Sequence, residues 1–265
     1  MARPVSTLGA FSLAGKRALV TGGGGDLGYA MAAALHQAGA EIVVAGRSGS
    51  AEAARDRMAA EHAEESASPA VHSITVDLAV EDDCVRVVAE TVELLGGLDI
   101  ILIAHGTSAG RGPSLEVTSA DWATVMDTNL SSVFLLCREA GAIMTRQGHG
   151  KIITIASMLS FFGGVRAAGY AASKGGVAQL TKSLANEWGP LGVNVNAIAP
   201  GFMKTRLTAH VWGDPDRYVQ TLGRIPAGRW GEPTDLEGIA VFLASSAADY
   251  VHGAVIPVDG GYLAR

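Results

Sequence analysis

Cysteine is scarce in this 265-residue chain: Cys84 and Cys137 are the only two, and neither stands at a spacing that binds metal. Both fall in helically patterned segments, so they are expected to be reduced thiols, and no disulfide framework or metal site is expected. Charged residues amount to 17% against 48% hydrophobic, which excludes a disordered chain and fits heavily buried strands. Basic residues number 20 against 26 acidic, for a net charge of -6, and form no Lys/Arg stripe. Nucleic acid is therefore not expected as a partner. No apolar run approaches the ~20 residues that cross a bilayer. Arg3 and Pro4 are followed by no continuous apolar stretch of the kind a secretory signal needs. These absences predict a soluble, cytoplasmic protein.

What the chain does have is a regular alternation of short apolar runs with longer amphipathic stretches. Strands are expected at 17–21, 41–45, 71–76, 99–104, 151–156, 194–199 and 254–258. Helices are expected near 27–38, 51–65, 81–95, 119–146, 169–188 and 233–245. Several strands are unbroken Val/Ile/Leu runs, as required when helices cover both faces of a sheet. The pattern predicts an α/β fold, a single Rossmann-type doubly wound parallel sheet of about seven strands spanning residues 1–265 as one domain. Glycine and proline gather at strand ends, where ligands bind in such sheets. Residues 202–232 lack a strand and carry Pro215 and Pro226, so this excursion after the sixth strand is expected to act as a substrate lid.

Two stretches carry chemistry. The first strand runs into Thr21-Gly-Gly-Gly-Gly-Asp-Leu-Gly28 and then an Ala-rich helix. Glycines let backbone approach a pyrophosphate, and the helix start offers unpaired N–H groups and a favourable dipole. The second strand ends Val44-Ala-Gly-Arg47, with Gly46 where an acidic residue would hold the ribose of NAD. Arg47 suits a 2′-phosphate, so NADP(H) is favoured and NAD(H) is the alternative. The second stretch is Gly169-Tyr-Ala-Ala-Ser-Lys174. Four residues apart on a helix, Tyr170 and Lys174 share a face. An ammonium beside a phenol favours the phenolate and brings its pKa toward the working range.

The order of these motifs resembles the short-chain dehydrogenase/reductase family over nearly the whole chain. Its counterparts here are the glycine turn, Asp77, the end of the fourth strand, Asn129, Ser157, Tyr170, Lys174, Pro200-Gly201 and the closing Val258-Asp-Gly-Gly261. The resemblance implies that Ser157 polarises a substrate carbonyl, Tyr170 exchanges the proton, Lys174 holds the nicotinamide ribose and Asn129 supports a proton path through water. It implies dinucleotide contacts at Gly22, Gly24, Gly25, Asp26, Leu27, Gly28, Asp77, Leu78, Ala104, Gly106, Pro200, Gly201 and Thr205. Two departures stand out. Asp26 replaces the middle glycine of the turn and is expected to weaken cofactor binding unless the turn is re-routed. Ile103-Ala-His-Gly106 replaces the family's Asn-Asn-Ala-Gly, with His105 expected to act through its backbone. Ser160, near Ser157, is the lesser candidate for the active hydroxyl.

The C-terminal half is similar to a narrower group, the 2-deoxy-D-gluconate 3-dehydrogenases and gluconate 5-dehydrogenases, through Ile155–Phe161, Ala185-Asn-Glu-Trp188 and Arg224-Ile-Pro-Ala-Gly-Arg-Trp-Gly231. This implies alcohol/ketone chemistry on a small sugar acid or polyol, with Arg166 and Arg206 as candidates for holding its carboxylate. The alternatives are a ketoacyl or general carbonyl reductase on the same machinery, or a non-catalytic nucleotide-binding protein. The family resemblance also implies a homotetramer, or failing that a dimer.

Overall fold

Apolar runs too short for helices become fully buried strands. The computed structural model describes residues 6–47, 49–61 and 69–265. Among these, β1 (Arg17–Thr21), β2 (Glu41–Gly46), β3 (Val71–Thr75), β4 (Ile100–Ile103), β5 (Gly150–Ile155), β6 (Val193–Pro200) and β7 (Val255–Val258) form one all-parallel sheet. Its order is β3-β2-β1-β4-β5-β6-β7, which reverses direction between β1 and β4. That reversal opens a crevice at the carboxyl ends of β1 and β4, where a doubly wound sheet binds its ligand.

The helices are α1 (Asp26–Gln37), α2 (Ser50–Glu61), α3 (Glu81–Leu95), α4 (Ser119–Met126), α5 (Ser132–Gln147), α6 (Ala168–Trp188), α7 (Ala209–Trp212), α8 (Pro215–Leu222) and α9 (Glu237–Ala244). On one face of the sheet α3, α5 and α6 bury Val87, Leu136 and Val177 against Leu19, Ile101 and Val195. On the other face α1, α2 and α9 bury Met31, Met58 and Leu243 against Val20, Ile42 and Leu102. The sheet is thus covered twice, which is why β2, over Ile42–Ala45, and β4 read as unbroken apolar runs.

Expected and observed elements agree to within a residue or two at most boundaries. Residues 62–65 of the expected second helix, and Arg3 and Pro4, lie outside the described residues. The expected helix 119–146 is corrected: a π-helical turn, Asp127–Ser131, separates α4 from α5, with the Ser132 N–H donating to the Asp127 carbonyl five residues back. The expected helix 233–245 opens instead as a 3₁₀ turn, Pro233–Leu236, before α9. Residues 202–232 contain α7 and α8, and a parallel bridge between Met203 and Gly231 brings the two ends of this excursion together. They pack on their own apolar cluster, in which Val211, Ile225 and Trp230 meet Met158 and Tyr262. Tyr218 stacks on Trp230 at 5.7 Å, and Phe202 bridges Trp230 and Tyr262. Among the described residues no helix is long and apolar enough to cross a membrane, and no cluster of His, Cys, Asp and Glu could hold a metal.

Candidate active site

The carboxyl end of β1 turns into α1 through backbone alone. Gly22 has φ +68°, and a Cβ there would lie 2.6 Å from the His105 nitrogen; one on Gly28 would run into the Gly22 carbonyl oxygen. Only glycine fits these two positions. The bare turn leads to the N-terminus of a three-turn helix, a site whose free N–H groups and dipole favour phosphate. From it a groove of about 530 Å³ runs past Gly46, Arg47, Asp77, Ala104, Gly106 and Thr107. Arg47 is exposed at its rim, and Leu78 turns its side chain into the core. These residues fit an extended dinucleotide, with backbone for the pyrophosphate and a cation for a 2′-phosphate.

Asp26 lies beside this groove, on a neighbouring cavity that shares Gly24, Gly25 and Arg206 with it. Its carboxylate accepts from the Arg206 backbone N–H at 2.7 Å and from the Arg206 Nε at 3.0 Å, while the Arg206 Nη2 donates to the Gly24 carbonyl at 3.1 Å. This changes two expectations. The charge of Asp26 is compensated by a cation from the 202–232 excursion. Arg206, expected to hold a substrate carboxylate, is engaged on the phosphate side. Arg166 is exposed, sits in the left-handed region at φ 56° and pairs with no acidic group among the described residues. Thr205 is buried, its hydroxyl 3.1 Å from that of Thr208. Gly201, at the end of β6, lies so close to Asp259 that a Cβ would stand 2.6 Å from its Cα.

β5 and α6 bring Ser157, Tyr170 and Lys174 together. The Ser157 backbone N–H donates to the Ser160 Oγ, and the Ser160 hydroxyl donates to the Lys174 carbonyl at 2.6 Å, so Ser160 fixes the loop. The Ser157 hydroxyl accepts from the Leu159 N–H at 3.1 Å and is near enough to the Tyr170 phenol to lower its pKa. Lys174 Nζ donates to the Ile155 carbonyl at 2.6 Å and lies 5.9 Å from the Tyr170 ring centre. Burial pulls the Lys174 pKa down to about 8. Burial also raises that of Tyr170, opposed first by the Arg111 guanidinium and then by the Ser157 hydrogen bond. A second cation, Arg111, lies 5.3 Å from the ring centre of Tyr170 and opposes that rise. Arg111 was missed because it lies in a loop after β4 with no motif of its own.

Asn129 sits fully buried in the π turn. Its Nδ2 donates to the Thr107 carbonyl at 2.9 Å and to Ser173 Oγ at 3.2 Å, and its Oδ1 accepts from the Thr107 N–H at 2.8 Å. It thereby clamps the strand exit beside Gly106. His105 bridges Thr21 Oγ1 at 2.8 Å and Ser132 Oγ at 2.7 Å. Ser132 already donates to the Thr128 carbonyl at 2.8 Å, so its oxygen accepts from His105 Nε2–H and Nδ1 accepts from Thr21. The imidazole thus ties β1 and β4 to α5, support that the missing amides of the family motif had put in question. A separate cavity of about 470 Å³ between Lys16, His149, Lys151 and His252 lies at the opposite edge of the sheet and shares none of these residues.

A glycine cradle at a topological switch point, facing a Ser–Tyr–Lys group, defines a nicotinamide-dependent oxidoreductase of the Rossmann type. The chain belongs to the short-chain dehydrogenase/reductase family. The family profile described as enoyl-(acyl carrier protein) reductase matches residues 25–263. The 2-dehydro-3-deoxy-D-gluconate 5-dehydrogenase of Escherichia coli strain K12 is 45% identical over 259 residues, 97% of this chain and 99% of the relative. A structure from Beutenbergia cavernae, provisionally assigned as an NAD(P)-dependent gluconate 5-dehydrogenase with NADP bound at low occupancy, has a TM-score of 0.90 at 41% identity, covering 97% of this chain and 100% of that one. A gluconate 5-dehydrogenase from Burkholderia cenocepacia J2315, in complex with NADP and tartrate, has a TM-score of 0.90 at 35% identity over 97% and 98% of the two chains.

Proposed function

We propose that the protein interconverts a secondary alcohol and a ketone on a sugar acid with NADP(H) as carrier, NAD(H) being the alternative. The relatives above act on such acids or bind NADP, and the exposed Arg47 at the groove rim supports the same cofactor. The observation that carries the sugar-acid assignment is the Arg111 guanidinium 5.3 Å from the Tyr170 ring centre, a cation beside the side chain that exchanges the proton.

When bound, the nicotinamide supplies or accepts the hydride. The chain does the rest. Ser157 donates a hydrogen bond to the carbonyl oxygen and stabilises the charge that develops there. Tyr170 gives that oxygen a proton in reduction and takes it in oxidation. Lys174 holds the nicotinamide ribose, Thr205 and Pro200-Gly201 the carboxamide end, and Gly22, Gly24, Gly25, Leu27 and Gly28 the pyrophosphate. Asp77 and Leu78 flank the adenine, and Ala104 and Gly106 give backbone room beside the ribose. Asn129 keeps the exit of β4 in place. Arg111 takes the carboxylate of the acid, and residues 202–232 cover it as a lid. We place the protein in the cytoplasm as a homotetramer.

Arg111→Ala tests the substrate assignment. Loss of a charge-assisted hydrogen bond raises KM for a C6 sugar acid about ten- to a hundredfold. KM for a neutral hexitol oxidised by the same enzyme stays within about twofold, because it makes no charged contact to lose. Equal losses on the two substrates would remove Arg111 as the carboxylate partner.

A further inference from the structure

We propose that Asp26 is a positioning residue for cofactor binding: it holds Arg206 across the mouth of the glycine turn, so that the lid's guanidinium meets the pyrophosphate. This rests on the assignment of the groove to a dinucleotide. Asp26 is the first residue of α1, where a phosphate would also bind, and an uncompensated carboxylate there opposes it. The structure compensates that charge from a residue 180 positions away. The Arg206 backbone N–H and Nε both donate to Asp26, and Nη2 donates to Gly24 of the turn itself. Arg206 Nη1 has donors that none of these bonds uses. The arginine can therefore stay on Asp26 and Gly24 while offering its remaining N–H groups to a phosphate oxygen. The Asp26 side chain is 29% exposed and that of Arg206 75%, so the pair sits where an entering anion reaches it. Arg206 also follows Thr205 directly. The ion pair therefore links the carboxamide end of the groove to the phosphate end.

The two roles of Asp26, orienting Arg206 and repelling phosphate, have opposite signs, and a double-mutant cycle separates them. NADPH affinity is measured by titration calorimetry on wild type, Asp26→Asn, Arg206→Ala and the double variant, with no turnover involved. Asp26→Asn is isosteric and lies in a partly exposed ion pair, so circular dichroism should show the native fold. With Arg206 present, Asp26→Asn weakens NADPH binding about two- to fivefold, the scale of an exposed ion pair. With Arg206 replaced by alanine, the same substitution tightens binding by a similar factor, because only repulsion remains. Tightening in both backgrounds, or no change in either, would overturn the positioning role. If wild type bound neither NADPH nor NADH, the groove assignment itself would fall and this proposal with it.

Discussion

His105 illustrates how a titratable side chain near the chemistry can act without taking part in it. Its ring is held between Thr21 and Ser132 as the Nε2–H tautomer, and burial, assisted by the charge of Lys174, pushes its pKa down to about 3. In the unfolded chain the same group titrates near ~6.5. Above that pH both states hold a neutral ring, and His105 adds no pH dependence. As the pH falls below ~6.5 the unfolded chain gains a proton that the folded state refuses. The folded state then loses up to about 1.4 kcal/mol per pH unit from this residue until about pH 3. His105→Asn removes that term, so the decline of unfolding free energy between pH 6.5 and 4 is shallower than in wild type. Urea denaturation across that range measures it, and superimposable pH profiles would count against a neutral, clamped imidazole. The sequence placed His105 beside the cofactor through its backbone, but its side-chain role needed the fold, since Thr21 and Ser132 lie 84 and 27 residues away. Arg111 was illegible for the same reason: its partner, the Tyr170 ring, comes from a different element.

At the scale of elements, most of the architecture was legible because burial on both faces writes strands as continuous apolar runs. The π turn was not. Residues 127–131 contain no glycine or proline, and nothing in their periodicity separates them from a continuous helix. The register shift follows from a tertiary requirement, that Asn129 reach both backbone groups of Thr107 and the hydroxyl of Ser173 at once. π turns of this kind often mark functional sites. Asn129→Leu would leave the Thr107 N–H and carbonyl without these partners in a buried setting, at a cost of about 1–3 kcal/mol. The expected result is a lower urea midpoint with an unchanged m-value, and a larger fall in kcat than in cofactor affinity, because the clamp lies beside Lys174 rather than along the phosphate groove. An unchanged midpoint would mean that the β4 exit does not depend on this clamp.

For the whole molecule, the sheet order puts every proposed catalytic and dinucleotide contact at one edge and leaves the helical flanks for association. Charge and composition argued against nucleic acid as a partner from the sequence alone, but they could not show which apolar residues remain outside the core. Leu115, Trp122 in α4 and Phe134 in α5 do, the last two 44% exposed. Large apolar side chains on adjacent helices, at the end of a chain segment whose other face packs on the sheet, are what the core of a subunit interface requires. The same α4–α6 region carries Asn129, Tyr170 and Lys174, so association would also stiffen the catalytic helices. In the proposed homotetramer the sedimenting particle has about four times the 27.2 kDa mass of the chain. Phe134→Glu places a carboxylate in that contact, where desolvating it costs several kcal/mol. Sedimentation velocity at micromolar concentration is then expected to show dimer or monomer, with the circular dichroism spectrum of the native fold. A variant that sediments like wild type would move the interface away from α5, because a buried, unpaired carboxylate could not be accommodated there without loss of association.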